Sequence, residues 1–182
     1  MRTLITGGVR SGKSRHAEAI AAQAAGPVRY VAPGHPPGDD AEWAARIAAH
    51  RARRPAHWET VETIDVAGIL DAATAGEVLL VDCLTTWLAR HLDEAGAWTE
   101  VDGWTERIDR ESDRLVDAWR TATATVVGVT NEIGLGVVPA TASGRMFRDR
   151  LGTLNQRIAA ASDRLHLVVV GRVLDLSGVP IV

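Results

Sequence analysis

The segment Gly7-Gly8-Val9-Arg10-Ser11-Gly12-Lys13-Ser14 constrains this chain more than any other. It fits G-x-x-x-x-G-K-[ST], the pattern of a loop that wraps nucleotide phosphates. That pattern carries meaning only between a strand and a helix, and both flanks qualify. Thr3-Leu4-Ile5-Thr6 is a short apolar, β-branched run that reads as a buried strand. Arg15 to Ala24 is rich in helix formers. A glycine turn that matched by chance would lack those flanks. In such a loop the glycines let successive N–H groups turn inward onto phosphate oxygens, and the helix that starts there adds its positive end. Lys13 supplies a point charge to the outer phosphates, and the Ser14 hydroxyl is the expected Mg²⁺ ligand. Among 20 lysines and arginines, Lys13 is the only lysine. Arginine serves everywhere else, which fits a compact ammonium kept for phosphate.

A chain of 182 residues, 46% hydrophobic and 24% charged, is expected to form one globular domain. Its net charge of −3 gives no sign of bulk nucleic-acid binding. A lone Cys83 excludes an internal disulfide framework and suits a reducing compartment. No apolar run approaches the roughly 20 residues that span a bilayer. The N-terminus opens directly into strand and loop without the form of a signal peptide, so the cytoplasm is the expected location.

Elements alternate along the chain, which predicts an α/β fold: a three-layer α/β/α sandwich of the phosphate-loop NTPase type with a mainly parallel sheet. Val28 to Ala32 reads as the second strand. Pro33-Gly34-His35-Pro36-Pro37-Gly38 reads as a loop, and Asp39 or Asp40 caps a helix from about 41 to 53. Trp58 to Glu62 alternates as a short strand, and Ile64 to Ala73 reads as helix. Further strands are expected at Glu77–Asp82, Thr125–Thr130 and His166–Gly171, with an edge strand at Val179–Val182. Long helices are expected over 99–121 and 143–161. The six tryptophans fall mostly at apolar helical positions, as core or subunit-contact residues do.

Two more features carry chemistry. Val78-Leu79-Leu80-Val81 delivers Asp82 at a strand's end, where a carboxylate reaches the Mg²⁺ site of such folds. The competing role for Asp82 is to cap the helix that follows. Arg46, His50, Arg51, Arg53 and Arg54 crowd one helix end, and four arginines there can neutralise a triphosphate. His50 lies four residues after Arg46, on the same helix face. A neutral imidazole held against an α-phosphate can act as a nucleophile and form a phosphoramidate. The bland alternative is a histidine on a solvated basic face. His57 beside Trp58 is expected to pack, and no histidine pair has the spacing of a zinc site.

The run from Thr6 to Glu18, in the narrow form G-G-x-R-S-G-K-S-R-x-A-E, resembles the opening of the bifunctional adenosylcobinamide kinase/adenosylcobinamide-phosphate guanylyltransferases of cobalamin biosynthesis. Later blocks resemble that family too: Ala45 to Pro55, Val81 to Thr85, Thr130 to Pro139, and Arg148 to Gln156. The resemblance runs from about residue 3 to 171. It implies phosphorylation of adenosylcobinamide by ATP or GTP, then transfer of GMP from GTP to adenosylcobinamide phosphate through a guanylyl-histidine, with release of pyrophosphate. By position the histidine is His50, with Lys13 as the second catalytic residue. The resemblance also implies nucleotide contacts from residues 7–14, from Val31, Ala32 and Pro33, from Arg51, Ala52, Arg53 and Arg54, and from Glu62, Asp82 and Leu84. Mg²⁺ would be held by Ser14 and Asp82, and the assembly would be a homotrimer with nucleotide sites near subunit contacts. Glu62 could accept from guanine or from ribose hydroxyls. Two features depart from the family pattern. Ala32-Pro33 and a Pro/Gly loop stand where a Thr or Ser and D-x-E-M are usual, and Ala49 precedes His50 where some relatives have a second histidine.

Other functions are open to the same loop. A plain small-molecule kinase would not need His50, a chain with one of the two activities would keep half the chemistry, and a nucleotide-dependent switch would transfer nothing. One way to host two steps is for the helix bearing His50 to approach the loop only with GTP bound, hinged at residues 33–38.

Overall fold

The computed structural model describes residues 1–180. Strands β1 (Arg2–Gly7), β2 (Val28–Ala32), β3 (Glu59–Glu62), β4 (Val78–Asp82), β5 (Thr125–Val129), β6 (Arg164–Val169) and β7 (Arg172–Asp175) form one sheet in the order β3-β2-β4-β5-β1-β6-β7. Every neighbouring pair is parallel except β6 with β7. Six helices connect them: α1 (Lys13–Gln23), α2 (Ala41–Arg53), α3 (Val66–Ala72), α4 (Leu84–Ala95), α5 (Trp104–Thr121) and α6 (Ala142–Ala160).

The period-2 alternation of strands decides which residues face which layer. In β4, Leu79 and Val81 join a core with residues of α3, α4, α5 and α6, while Val78 and Leu80 join a second core with Ala17 and Ala21 of α1. Both faces are covered, so β4 reads as a continuous apolar run, as buried parallel strands do. Gly128 of β5 lets the Trp119 indole lie on the sheet: a Cβ there would stand 2.5 Å from the ring.

Helix α2 is the exception to this packing, for it buries no side chain. Asp40 caps it by accepting from Trp43 N at 2.9 Å, and Trp43 Nε1 donates to His35 O at 3.0 Å. Its C-terminal end is held by ionic and stacking contacts.

Three elements differ from the sequence reading. The helix expected from 99 starts at Trp104, because Gly96 and Gly103 take positive φ and a 3₁₀ turn fills Ala97–Thr99. Strand β7, whose four residues are all exposed to some degree, follows a two-residue turn in which Val170 and Gly171 have φ of 44° and 76°. The edge strand expected at 179–182 is not found at Val179 and Pro180, which lie in irregular structure, and its last two residues lie outside the described residues.

Candidate active site

The C-terminal ends of the parallel strands share one edge of the sheet, where open α/β sheets bind ligands. Gly7 ends β1 with φ 155°, and a Cβ there would stand 2.4 Å from Val168 O. Gly12 caps α1 in the left-handed region, and Arg10 is left-handed as well. The β6–β7 turn supports the loop from beneath: Gly171 N donates to Ser11 O at 2.8 Å. Lys13 Nζ donates to Gly8 O at 3.1 Å. Burial pushes its ammonium below the ordinary lysine range, against the pull of Cys83 and Asp82. Ser11 Oγ is buried with no hydrogen-bond partner among the described residues, and Val9 stands 71% exposed at the loop's tip.

Asp82 emerges at the end of β4, and its peptide bond to Cys83 is cis. Its Oδ2 accepts from the Tyr30 hydroxyl at 2.8 Å. Burial, and then the Asp82 charge, hold the Tyr30 phenol well above its ordinary range. The Arg54 guanidinium stacks on the Tyr30 ring, 3.4 Å from its centroid, and Arg54 Nη1 donates to Thr60 Oγ1 at 3.3 Å. These contacts dock the end of α2 onto β2 and β3.

His50 thereby comes to the phosphate-loop side of the sheet. Its Nδ1 lies 3.7 Å from Asp82 Oδ2 and 3.3 Å from Arg53 Nη2. Arg53 Nη2 in turn donates to Glu18 Oε1 of α1 at 3.1 Å. Burial lowers the imidazole's affinity for a proton; Asp82 and Glu18 oppose this, while Arg53 and Arg54 add to it. The net direction is downward, so the ring is neutral at neutral pH. Helix α2 thus places His50 beside Asp82.

The basic cluster is less free than its composition suggested. Arg53 is paired with Glu18, and Arg51 with Glu62, so Glu62 accepts from an arginine here. Of the residues expected at the nucleotide, Leu84 and Val31 have fully buried side chains, which leaves their backbone groups for a ligand. Pro33 is buried, Ala32 half-buried and Ala52 exposed. His57 is exposed, where packing against Trp58 was expected.

Sequence reasoning missed the supporting groups. Tyr30, the chain's one tyrosine, sits inward in β2 two residues before Ala32, and that singular position was a signal. A chain of polar groups also escaped it. Asn131 N donates to Thr85 Oγ1 at 2.9 Å, Thr130 Oγ1 donates to Asn155 Oδ1 at 2.7 Å, and Asn155 Nδ2 donates to Asn131 O at 3.0 Å. Behind the loop, His16 Nε2 and His166 Nδ1 share a hydrogen bond at 2.9 Å, joining α1 to β6.

Among solved structures, a prototypical ATPase from a type III secretion system of pathogenic bacteria shares the fold at a TM-score of 0.60 and 12% identity. The match takes in 96% of this chain but only 56% of that ATPase. A Pyrococcus horikoshii protein matches at TM-score 0.53 and 7% identity, over 98% of this chain and 87% of its own. At such identities the likeness concerns the fold alone. Sequence relatives are far nearer. The bifunctional adenosylcobalamin biosynthesis protein CobP of Pseudomonas aeruginosa is 42% identical over the full length of both chains. CobU of Salmonella typhimurium is 43% identical over 94% of this chain and 97% of its own. A family model described as cobinamide kinase / cobinamide phosphate guanyltransferase matches residues 3–176, spanning the phosphate loop, Asp82 and the helix that carries His50. With the loop's geometry, the near full-length identity and that match in agreement, the chain belongs to the cobinamide kinase / cobinamide phosphate guanyltransferase family.

Proposed function

We propose that this enzyme phosphorylates adenosylcobinamide at the expense of ATP or GTP and then moves GMP from GTP to the new phosphate by way of His50. The family supplies the two activities. The observation that carries the histidine route is an uncharged, half-buried imidazole 3.7 Å from the carboxylate that ends β4.

The chain's own groups account for the second activity as follows. Nε2 attacks in the tautomer whose proton sits on Nδ1, toward Asp82; Arg53, which can only donate, releases Nδ1 in that state. The Nε2 lone pair bonds to the α-phosphorus, the bond from that phosphorus to the β-phosphate oxygen breaks, and pyrophosphate leaves with the electron pair. The ring gains positive charge in this step, and Asp82 stands where it offsets that charge. An oxygen of the acceptor phosphate then bonds to the same phosphorus, the P–N bond breaks, and its pair returns to the ring. Main-chain N–H groups of residues 8–14 and the Lys13 ammonium hold the leaving phosphates.

The donor set also suits Mg²⁺. The Ser14 hydroxyl is at the start of α1, and Asp82 has spent one carboxylate oxygen on Tyr30 and His50, which leaves Oδ1. Few protein oxygens with phosphates and water completing the shell is the usual habit of this ion. When bound it would neutralise charge on the phosphates. Arg51, Arg53, Arg54 and Glu62 border the space for the base and sugar, and a homotrimer would bring subunits to that border.

Incubation with Mg²⁺ and GTP labelled at the α-phosphate tests the reading. Retained label that survives base, is lost in acid and is missing from His50→Ala is the expected result. An unlabelled protein that still phosphorylates cobinamide would reduce the function to a kinase and His50 to a residue of a basic surface.

A further inference from the structure

Strand β5 lies between β1 and β4, so its C-terminal end opens between the phosphate loop and Asp82. The chain leaving β5 stays at that edge: Glu132 N donates to Gly7 O at 3.2 Å. A cavity of about 460 Å³ begins at Glu132 and is walled by Ile133, Gly134 and, from α6, Arg148, Asp149 and Gly152. The polar chain through Thr85, Asn131, Thr130 and Asn155 fixes this wall to the turn that carries Asp82.

Three charged groups at the cavity, Glu132, Arg148 and the exposed Asp149, have no ionic partner among the described residues. Arg148 is half-buried and reaches only Gly136 O, at 3.4 Å, whereas Arg150 and Arg157 of the same helix are paired with Asp109 and Asp113. Glu132 accepts from Gly134 N with Oε1, which leaves its other oxygen. A partly buried guanidinium with no carboxylate partner is placed to meet an anionic ligand. Beyond the cavity's mouth Leu135, Val137 and Val138 are 89%, 95% and 61% exposed, an apolar rim of the kind that meets a large ring system.

We propose that this cavity receives the alkanol arm of the corrinoid acceptor, with Glu132 as the base of the kinase step and Arg148 as the ligand of the phosphate that step creates. The proposal rests on the family's two activities but not on the route through His50. In the kinase step the Glu132 carboxylate takes the hydroxyl proton as the hydroxyl oxygen bonds to the γ-phosphorus. The bond from that phosphorus to the β–γ bridging oxygen breaks, and the nucleoside diphosphate leaves with the pair. The proton passes to water when the product departs. In the guanylyl step Arg148 holds the oxygens of the acceptor phosphate that are not attacking, as a guanidinium does in paired hydrogen bonds.

Equilibrium dialysis of the full chain, read by corrinoid absorbance, tests this with adenosylcobinamide and adenosylcobinamide phosphate as probes. Arg148→Ala should weaken the phosphate form about 10- to 100-fold and leave the unphosphorylated form unchanged, with Arg148→Lys between. Glu132→Gln should bind both forms as the parent does and lose about 100-fold or more in kcat for phosphorylation. Circular dichroism and nucleotide affinity should match the parent in all three. Equal weakening of both forms by Arg148→Ala, or none, overturns the phosphate assignment, and parental turnover by Glu132→Gln overturns the base. These readouts do not pass through His50, so failure of the guanylyl-histidine would leave them in force.

Discussion

An imidazole attacks phosphorus only when uncharged, so the reactivity of His50 depends on what its surroundings do to its proton. Removal from water disfavours the imidazolium, and the guanidinium of Arg53 at 3.3 Å disfavours it again. Asp82 pulls the other way and loses. The folded-state pKa is therefore below the ordinary histidine value of about 6.5, and the neutral, reactive form persists as pH falls through that value. The rate at which label from GTP enters the protein should stay flat down to about pH 6.5 and fall only below it. An acidic limb centred above 6.5 would mean that Asp82 dominates and the ring is charged. Glu18→Gln offers a sharper form of the same test. It removes the carboxylate that engages Arg53 at 3.1 Å, and with it a charge that favours the imidazolium, so the acidic limb should move lower still.

Helix α2 presents that imidazole with an apolar face, Trp43, Ala44 and Ile47, that is only partly buried. Most helical stability in proteins comes from an apolar face packed on a core, and α2 has no buried side chain. What holds it is the Asp40 cap, the Arg53–Glu18 pair, the Arg51–Glu62 pair and Arg54 on Tyr30. Exposed ion pairs contribute about 0–1 kcal/mol each, and a cation on an aromatic face about 0.5–2. Amides of α2 should therefore exchange with solvent faster than those of α5, whose Ile108, Leu115 and Trp119 are buried. Arg54→Ala should accelerate α2 further and leave α5 as it was. Equal protection of α2 and α5 would show that the polar contacts suffice. The same physics explains what could be read from sequence. The bounds of α2 were legible because its signals are local: Asp40 at the N-cap, helix formers throughout, Pro55 after the end. Strand β7 was not legible, because all four residues are exposed and no inward–outward alternation marks it. At the site, the phosphate loop and Asp82 were visible as short motifs. The Tyr30–Asp82, Arg53–Glu18 and His16–His166 contacts join residues 52, 35 and 150 positions apart, and spacing along the chain carries no trace of them.

At the scale of the whole molecule, strand β7 leaves the sheet unfinished. No strand pairs with its outer edge among the described residues, its four residues are exposed, and Val173 and Leu174 are 42% and 53% accessible beside Val169 at 45%. An open apolar edge invites pairing with another chain unless it is charged, bent or covered. Arg172 and Asp175 flank the apolar pair but do not interrupt it. A closed ring of identical subunits would cover such an edge with a different surface of the next copy. We propose that the homotrimer implied by the family resemblance uses this edge, and sedimentation equilibrium should then give three times the 19.4 kDa of the chain. Leu174→Glu places a charge on the apolar edge and should shift the sample toward the single-chain mass, with the effect growing on dilution. Because Leu174 is half-exposed in the isolated subunit, that substitution should leave its circular dichroism spectrum intact. A parent protein that sediments as one chain would refute the trimer, and a trimer unmoved by Leu174→Glu would place the subunit contact elsewhere than β7. If trimer and label incorporation fail together in Leu174→Glu, the subunit contact supports the nucleotide site through the β6–β7 turn, whose Gly171 N reaches Ser11 O of the phosphate loop at 2.8 Å.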